Sequence, residues 1–133
     1  MKQTIMPALG THTPMTPNQI RVMFGDKLAD ADSSRAEFIV HNWRTDVVTI
    51  GEVPAEMVRK ATGDNLDVPW PAQLNKLIWE NKHDLILSIG QVVPHEVMGM
   101  ANFNKNLFVG CGGVDAINLS HFIGAVHGVS VPT

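Results

Sequence analysis

The sequence of 133 residues has one cysteine, no tyrosine and no run of basic residues. A lone cysteine, Cys111, cannot form an internal disulfide, which favours a reducing, cytoplasmic location. Nucleic-acid partners need positive charge and stacking surfaces, whereas the net charge is -3 and only 6% of the residues are aromatic. No apolar run is long enough for a membrane span, and the first residues lack the features of a signal peptide. We therefore expect no nucleic-acid partner and no membrane partner.

The residues that are present predict a folded globular domain. Hydrophobic residues make up 44% and charged residues 17%, and the length allows one domain with a real core. Apolar runs predict strands at residues 4–9, 37–40, 47–50, 84–91 and 107–109, and helical spacing predicts helices from residue 17, at 54–61, from about 70 and at 115–124. This alternation predicts an α/β fold with a mostly parallel sheet and helices on both faces.

Two of these elements carry the clearest signals. Thr16 is followed by Pro17 and Gln19, the pattern of a capping box with proline at the first helical position. The spacing of Ile20, Met23, Phe24 and Leu28 then predicts a buried helical face. Residues 84–91 are apolar without alternation, as expected of a parallel strand covered on both faces.

Two polar loops follow predicted strands and carry histidines. His12 lies between the first strand and the capped helix, and His95 follows Pro94 at the end of the strand at 84–91. Ligands of parallel sheets bind beyond the carboxyl ends of the strands, where an imidazole can act as a general base near neutral pH. The plainer alternative for both is a structural histidine that bonds to the backbone.

Other residues have both a chemical and a structural interpretation. Lys105 is a candidate nucleophile or phosphate ligand, or a solvated surface lysine, and His121 is a candidate metal ligand or a boundary histidine. Cys111 is a candidate ligand or nucleophile, or a small residue in a tight turn. The glycine-rich run at 109–113 could cradle a phosphate, although Asp115 at the next helix start would repel one. His41 and His83 have no partner at ligand spacing and are expected to be structural.

Two stretches together resemble the nickel-dependent lactate racemase family. Ala-Leu-Gly-Thr-His-Thr-Pro-Met at residues 8–15 resembles that family's Ala-x-Gly-x-His-x-Pro segment. Gly-Gln-Val-Val-Pro-His at residues 90–95, followed by Lys105 and His121, resembles its second motif. The spacing is the specific part, since the lysine follows His95 by ten residues and the next histidine follows the lysine by sixteen.

The resemblance implies a role for each of the matching residues. Members of the family carry a nickel-pincer pyridinium mononucleotide, and the matching residues are Lys105 for its covalent attachment and His121 for the nickel. His12 and His95 match the two histidines that serve as acid and base on either side of a 2-hydroxy acid. The resemblance therefore implies a racemase or epimerase that exchanges hydride with its substrate and depends on cofactor-maturation proteins.

The sequence also departs from the family pattern. Ala-Asn-Phe-Asn-Lys at residues 101–105 stands where the family has Ser-Gly-Gly-x-Lys, and residues 54–77 look like an insertion. We therefore expect a divergent branch, with a sugar acid as plausible a substrate as lactate. Family members are much longer, so residues 1–133 are expected to be a partial N-terminal domain of a two-domain protein, without its cofactor and inactive alone.

Two other functions remain open from the sequence. One is a non-catalytic relative that keeps the fold and binds a nucleotide-like ligand or a metal, which the altered loop before Lys105 favours. The other is an α/β interaction domain whose histidines are structural. In that case His12, His95 and Lys105 would point to different surfaces.

Overall fold

The fold combines short strands with helices. The computed structural model describes residues 2–127 except 33, 82, 96 and 98, and of residue 127 only the backbone. The strands are β1 (Gln3–Ile5), β2 (Ala36–Phe38), β3 (Val47–Val53), β4 (Trp70–Asn75), β5 (Pro94–His95) and β6 (Gly99–Met100). The helices are α1 (Pro17–Phe24), α2 (Asp26–Ala29), α3 (Ala55–Ala61), α4 (Lys76–Glu80) and α5 (Val114–His127), with a π-helical segment, Asn106–Gly110, before α5.

The strands form pairs, which corrects the expectation of a mostly parallel sheet. β1 and β2 are parallel, whereas β3 with β4 and β5 with β6 are antiparallel. The antiparallel pairing of β3 with β4 is irregular between Thr49 and Gly51. A mixed α/β fold is confirmed, but the described residues form three two-stranded sheets.

The capped helix forms as its sequence predicts. The Thr16 side chain accepts from the Gln19 backbone N–H, and Gln19 Oε1 accepts from the Thr16 backbone N–H at 2.8 Å. These two bonds satisfy backbone donors that a helix start leaves open. The buried face was predicted too broadly, because Ile20, Phe24 and Leu28 are half-buried while Met23 is exposed.

Three elements differ from the sequence predictions. Residues 70–75, predicted as helix, form β4, because they pair with β3 and bury Leu74 against α5 and the π-helical segment. Residues 107–109, predicted as strand, are π-helical. Residues 84–91 form no strand, since no backbone group from 84 to 92 bonds to another backbone group among the described residues. In short segments such as these, tertiary pairing decides the structure.

The core lies between the β3–β4 strand pair, α5 and the π-helical segment. Trp70 joins two of these layers, because its Nε1 donates to Ala116 O at 3.0 Å and to Ser120 Oγ at 2.9 Å. Its ring also packs edge-on against Phe108. The buried apolar residues are Ala36, Val58, Leu74, Val109, Cys111, Ala116 and Ile117.

Candidate functional site

A buried polar hub, made of His41, Gln73 and Asn75, holds the turn that joins the π-helical segment to α5. His41 Nε2 lies 2.8 Å from Gly112 O, and His41 Nδ1 lies 2.8 Å from Asn75 Nδ2. A carbonyl oxygen can only accept, so Nε2 carries the hydrogen and Nδ1 accepts from the amide. His41 is therefore neutral and structural, as predicted. Burial lowers its pKa, opposed by the bond to Gly112 and the charge of Asp46.

The glycine-rich turn is filled by the chain itself. A Cβ on Gly112 would overlap the carbonyl of Phe108, and one on Gly113 would overlap the side chain of Gln73. Gln73 Oε1 accepts from the Ala116 backbone N–H at 3.2 Å, while Gln73 Nε2 donates to Asp115 Oδ2 at 3.2 Å. These glycines serve close packing, and the structure gives no support to the phosphate cradle considered from the sequence.

Cys111 lies in the same turn, and its thiol is expected to be unreactive. Its side chain is only 4% exposed, and burial raises the pKa of its thiol to about 11. Thiolate is the form that attacks electrophiles and binds soft metals, so little of it exists at neutral pH. The interpretation as a small residue in a tight turn is the one that the structure supports.

Lys105 stands directly before the π-helical segment and is half-buried. Its backbone N–H donates to Asn102 O at 3.1 Å, which places it at the end of a tight turn. Among the described residues its ammonium group has neither a hydrogen-bond partner nor an ion-pair partner. Such an amine is available for a covalent bond or for an anionic ligand.

His121 lies on the exposed side of α5 with a fixed tautomer. Its Nδ1 is 2.7 Å from Ile117 O, one turn earlier. Because the carbonyl must accept, Nδ1 carries the hydrogen and the lone pair of the neutral ring is on Nε2. A backbone carbonyl commonly orients a metal-binding histidine in this way.

His95 lies in the small β5–β6 hairpin, where its Nδ1 accepts from the Val97 backbone N–H at 3.2 Å. The neutral ring therefore carries its hydrogen on Nε2, where it is a hydrogen-bond donor. The hairpin packs on α5, since a Cβ on Gly124 would be 2.9 Å from Val97 Cγ1. Gly124 is one helical turn after His121, so the hairpin of His95 and the helix of His121 meet.

His12 occupies an exposed turn after β1, where its backbone N–H donates to Leu9 O at 2.9 Å. The same turn is joined to the π-helical segment, because Gly10 N donates to Gly110 O at 2.8 Å. The loop of His12 therefore lies against the segment that begins after Lys105.

These contacts bring together the elements of the site in two pairs. The loop of His12 meets the segment after Lys105, and the hairpin of His95 meets the helix of His121. That the four side chains share one cleft stays a prediction. None of them lines the cleft of about 520 Å³ beside β1 and α2, and no three His, Cys, Asp or Glu side chains among the described residues could share a metal.

Comparison with known families identifies the family of this chain. The model of the lactate racemase N-terminal domain matches residues 2–130, which include all four candidate residues. The chain belongs to the lactate racemase N-terminal domain family. A comparison with curated proteins finds no match.

A solved structure shows the same fold. The chain is similar to a crystal structure of a Thermotoga maritima protein from the Northeast Structural Genomics Consortium, with a TM-score of 0.80 and 23% identity. The alignment covers 94% of this chain and 29% of the Thermotoga maritima chain. This member of the lactate racemase N-terminal domain family therefore spans less than a third of that protein's length. No helix among the described residues is long and apolar enough to cross a membrane.

The turn before Lys105, which the sequence marked as a departure from the family pattern, has a backbone conformation that was not predicted. Asn102 and Phe103 stand where the racemase pattern has two glycines, and both have positive φ, 70° and 50°. The left-handed backbone, which glycine adopts readily, is therefore kept here with larger residues. The glycine pair of the family pattern was the signal that could have predicted this conformation.

Proposed function

We propose that this chain is the cofactor-carrying part of a 2-hydroxy-acid racemase or epimerase. The observation that carries the proposal is the packing of both histidine loops onto one continuous unit, which runs from Lys105 through the glycine turn into α5. One loop contacts it at Gly110 and the other at Gly124. Inversion at a carbon requires a base on each side of it. Two histidine loops that contact one cofactor-carrying segment fit this requirement.

The two attachment points fit a nickel-pincer pyridinium mononucleotide. Lys105 has an amine without a partner among the described residues, suited to an amide-type bond. His121 keeps an Nε2 lone pair, fixed by its bond to Ile117 O, and imidazole nitrogen is a good nickel ligand. The chemistry supplied by the bound group is acceptance and return of a hydride at the 2-carbon of the substrate.

The residues of the chain would then move the hydroxyl proton. Direct removal of a proton beside an anionic carboxylate is difficult, whereas loss of hydride with loss of the hydroxyl proton gives a planar keto acid. His12 would accept the hydroxyl proton for one enantiomer. His95, as the protonated imidazolium, would return a proton to the keto oxygen to give the other, and the roles reverse in the opposite direction.

Attachment tests the proposal first. The chain is produced together with cofactor-maturation proteins, then intact mass and bound nickel are measured. We expect an added mass that maps to Lys105 and is lost in Lys105→Arg, and nickel that is lost in His121→Ala while the added mass remains. Absence of the added mass from the unsubstituted chain would contradict the proposal.

Turnover tests the two histidines. In a loaded protein long enough to racemise 2-hydroxy acids, His12→Asn and His95→Asn should each lower the rate about 10²- to 10⁴-fold, as for the loss of a general acid or base. Nickel content should be unchanged, and His83→Asn is a matched control on an exposed histidine. The 133-residue chain alone should show no appreciable turnover.

A non-catalytic relative is the second candidate. It is favoured by the larger side chains of Asn102 and Phe103 in the turn before Lys105. A protein of this kind would take up the nucleotide or the metal with unchanged stoichiometry. It would racemise no 2-hydroxy acid at any length, and the two histidine substitutions would have no effect.

A further inference from the structure

The turn before Lys105 holds a phenylalanine in a conformation that disfavours it. Phe103 has a φ of 50° and follows Asn102 with a φ of 70°. Residues with a Cβ rarely adopt this left-handed region, and asparagine tolerates it better than phenylalanine. Strained residues concentrate at functional sites.

Asn102 is held in place by a network of polar side chains. Its Nδ2 donates to Gly90 O at 2.9 Å, and its Oδ1 accepts from Asn106 Nδ2 at 2.8 Å and from Ser88 Oγ at 3.2 Å. Asn106 Nδ2 also donates to Ser88 Oγ at 3.0 Å. The network fixes the turn to residues 88–90 and thereby fixes the backbone of Phe103.

Phe103 itself gains little from this arrangement within the chain. Its side chain is 63% exposed, and in the described part of the chain its ring contacts no other aromatic ring. A glycine would relax the backbone and remove an exposed apolar surface. The conformation therefore presents an exposed aromatic ring two residues along the chain from Lys105, although packing within the chain does little to stabilise it.

We propose that Phe103 is a ligand-contacting residue that stacks on the cationic pyridinium ring of the nucleotide carried at Lys105. The face of a phenylalanine ring carries negative electrostatic potential and attracts a flat cation. Because the backbone of the turn is fixed before binding, little backbone freedom is lost when the rings meet. This inference rests on the proposed function and adds a ring contact to it.

The test is the affinity of the 133-residue chain for nicotinic acid mononucleotide, a soluble pyridinium mononucleotide, measured by calorimetry. Phe103→Leu keeps the apolar bulk and removes the ring, and should weaken binding roughly five- to thirtyfold, the range of a cation–π contact. Trp79→Leu, which removes an aromatic ring with 57% exposure from α4, should leave the affinity unchanged. Ribose 5-phosphate, which has no pyridinium ring, should bind the parent chain and Phe103→Leu equally.

A second variant separates this contact from a structural role. Phe103→Gly should raise the urea midpoint of unfolding, because it relieves the strained backbone, and should weaken nucleotide binding at the same time. If Phe103 had only a structural role, Phe103→Gly would change the urea midpoint and the affinity for the nucleotide in the same direction.

The possible failures are distinguishable. Equal affinity of Phe103→Leu and Trp79→Leu for the nucleotide would overturn the stacking contact and leave the proposed function standing. No binding of the nucleotide to the parent chain would overturn both.

Discussion

The polar hub and residues 85–93 are opposites in composition and in burial. The hub is made of polar side chains, yet Asn75 is completely buried and His41 and Gln73 are nearly so. Residues 85–93 are largely aliphatic, yet Leu85, Leu87 and Ile89 are mostly exposed. Burial here follows the availability of partners. Every polar group of the hub has one, whereas among the described residues no backbone group pairs with the backbone of 84–92.

Among changes within the two compared regions, the largest effect should come from removing a hub side chain. Asn75→Ala leaves His41 Nδ1 and the Leu77 backbone N–H without the partners that Asn75 provides, and it opens a small cavity. We expect the free energy of unfolding, measured in urea, to fall by about 2–4 kcal/mol. Asn65→Ala, on an exposed asparagine with one bond to Thr62 O, is the control and should change it by less than about 1 kcal/mol. If the free energy of unfolding fell by similar amounts in the two variants, the hub would contribute no more to stability than a surface hydrogen bond.

An intermediate effect should appear on acidification. Burial holds the pKa of His41 below its usual value of 6.5, so the unfolded chain binds the proton more readily than the folded chain. Stability from this residue is therefore complete above about pH 6.5 and is lost as the pH falls toward the folded pKa. The free energy of unfolding of His41→Gln should depend less on pH in that window than that of the parent chain. Parallel pH profiles would contradict the neutral, buried state of His41.

The smallest effect should come from the apolar residues 85–93. Leu87 is 70% exposed, so Leu87→Lys removes little buried surface and should change the free energy of unfolding by no more than about 0.5 kcal/mol. Leu74→Lys, at a buried position of β4, is the matched control and should prevent folding. A loss of several kcal/mol for Leu87→Lys in urea unfolding would show that this segment is covered in solution.

Sequence reasoning succeeded where the signal is local. The capping box at Thr16 and the helices predicted at 54–61 and 115–124 depend on neighbouring residues, and the structure confirms them with slightly different bounds. The structural role of His41 was also expected, because it has no ligand partner nearby in sequence.

The errors came from contacts that the sequence does not encode locally. Pro69 and Pro71 suggest a helix start, but residues 70–75 become a strand because β3 lies beside them. Residues 84–91 have the composition of a central strand, yet strand formation requires a neighbour. The left-handed turn at Asn102 depends on an amide network with residues 88, 90 and 106, which only the folded chain brings together.

In the candidate site, too, features of the sequence could be predicted and contacts made by the fold could not. The family resemblance rested on the spacing of His95, Lys105 and His121, and the family is confirmed. The tautomers of His95 and His121 could not be predicted, because each is set by a backbone group that the fold places beside the ring. The common cleft of the four side chains stays a prediction.

The buried thiol of Cys111 has a practical consequence for spectroscopy. It is the only cysteine in the sequence, and with a pKa of about 11 it should hardly react with maleimide at neutral pH. An exposed cysteine introduced at Thr11, beside His12, could therefore carry a fluorophore or a spin label without removal of the native residue. A partner label on the exposed side of α5 would turn the separation between the loop of His12 and the helix of His121 into a distance measured in solution.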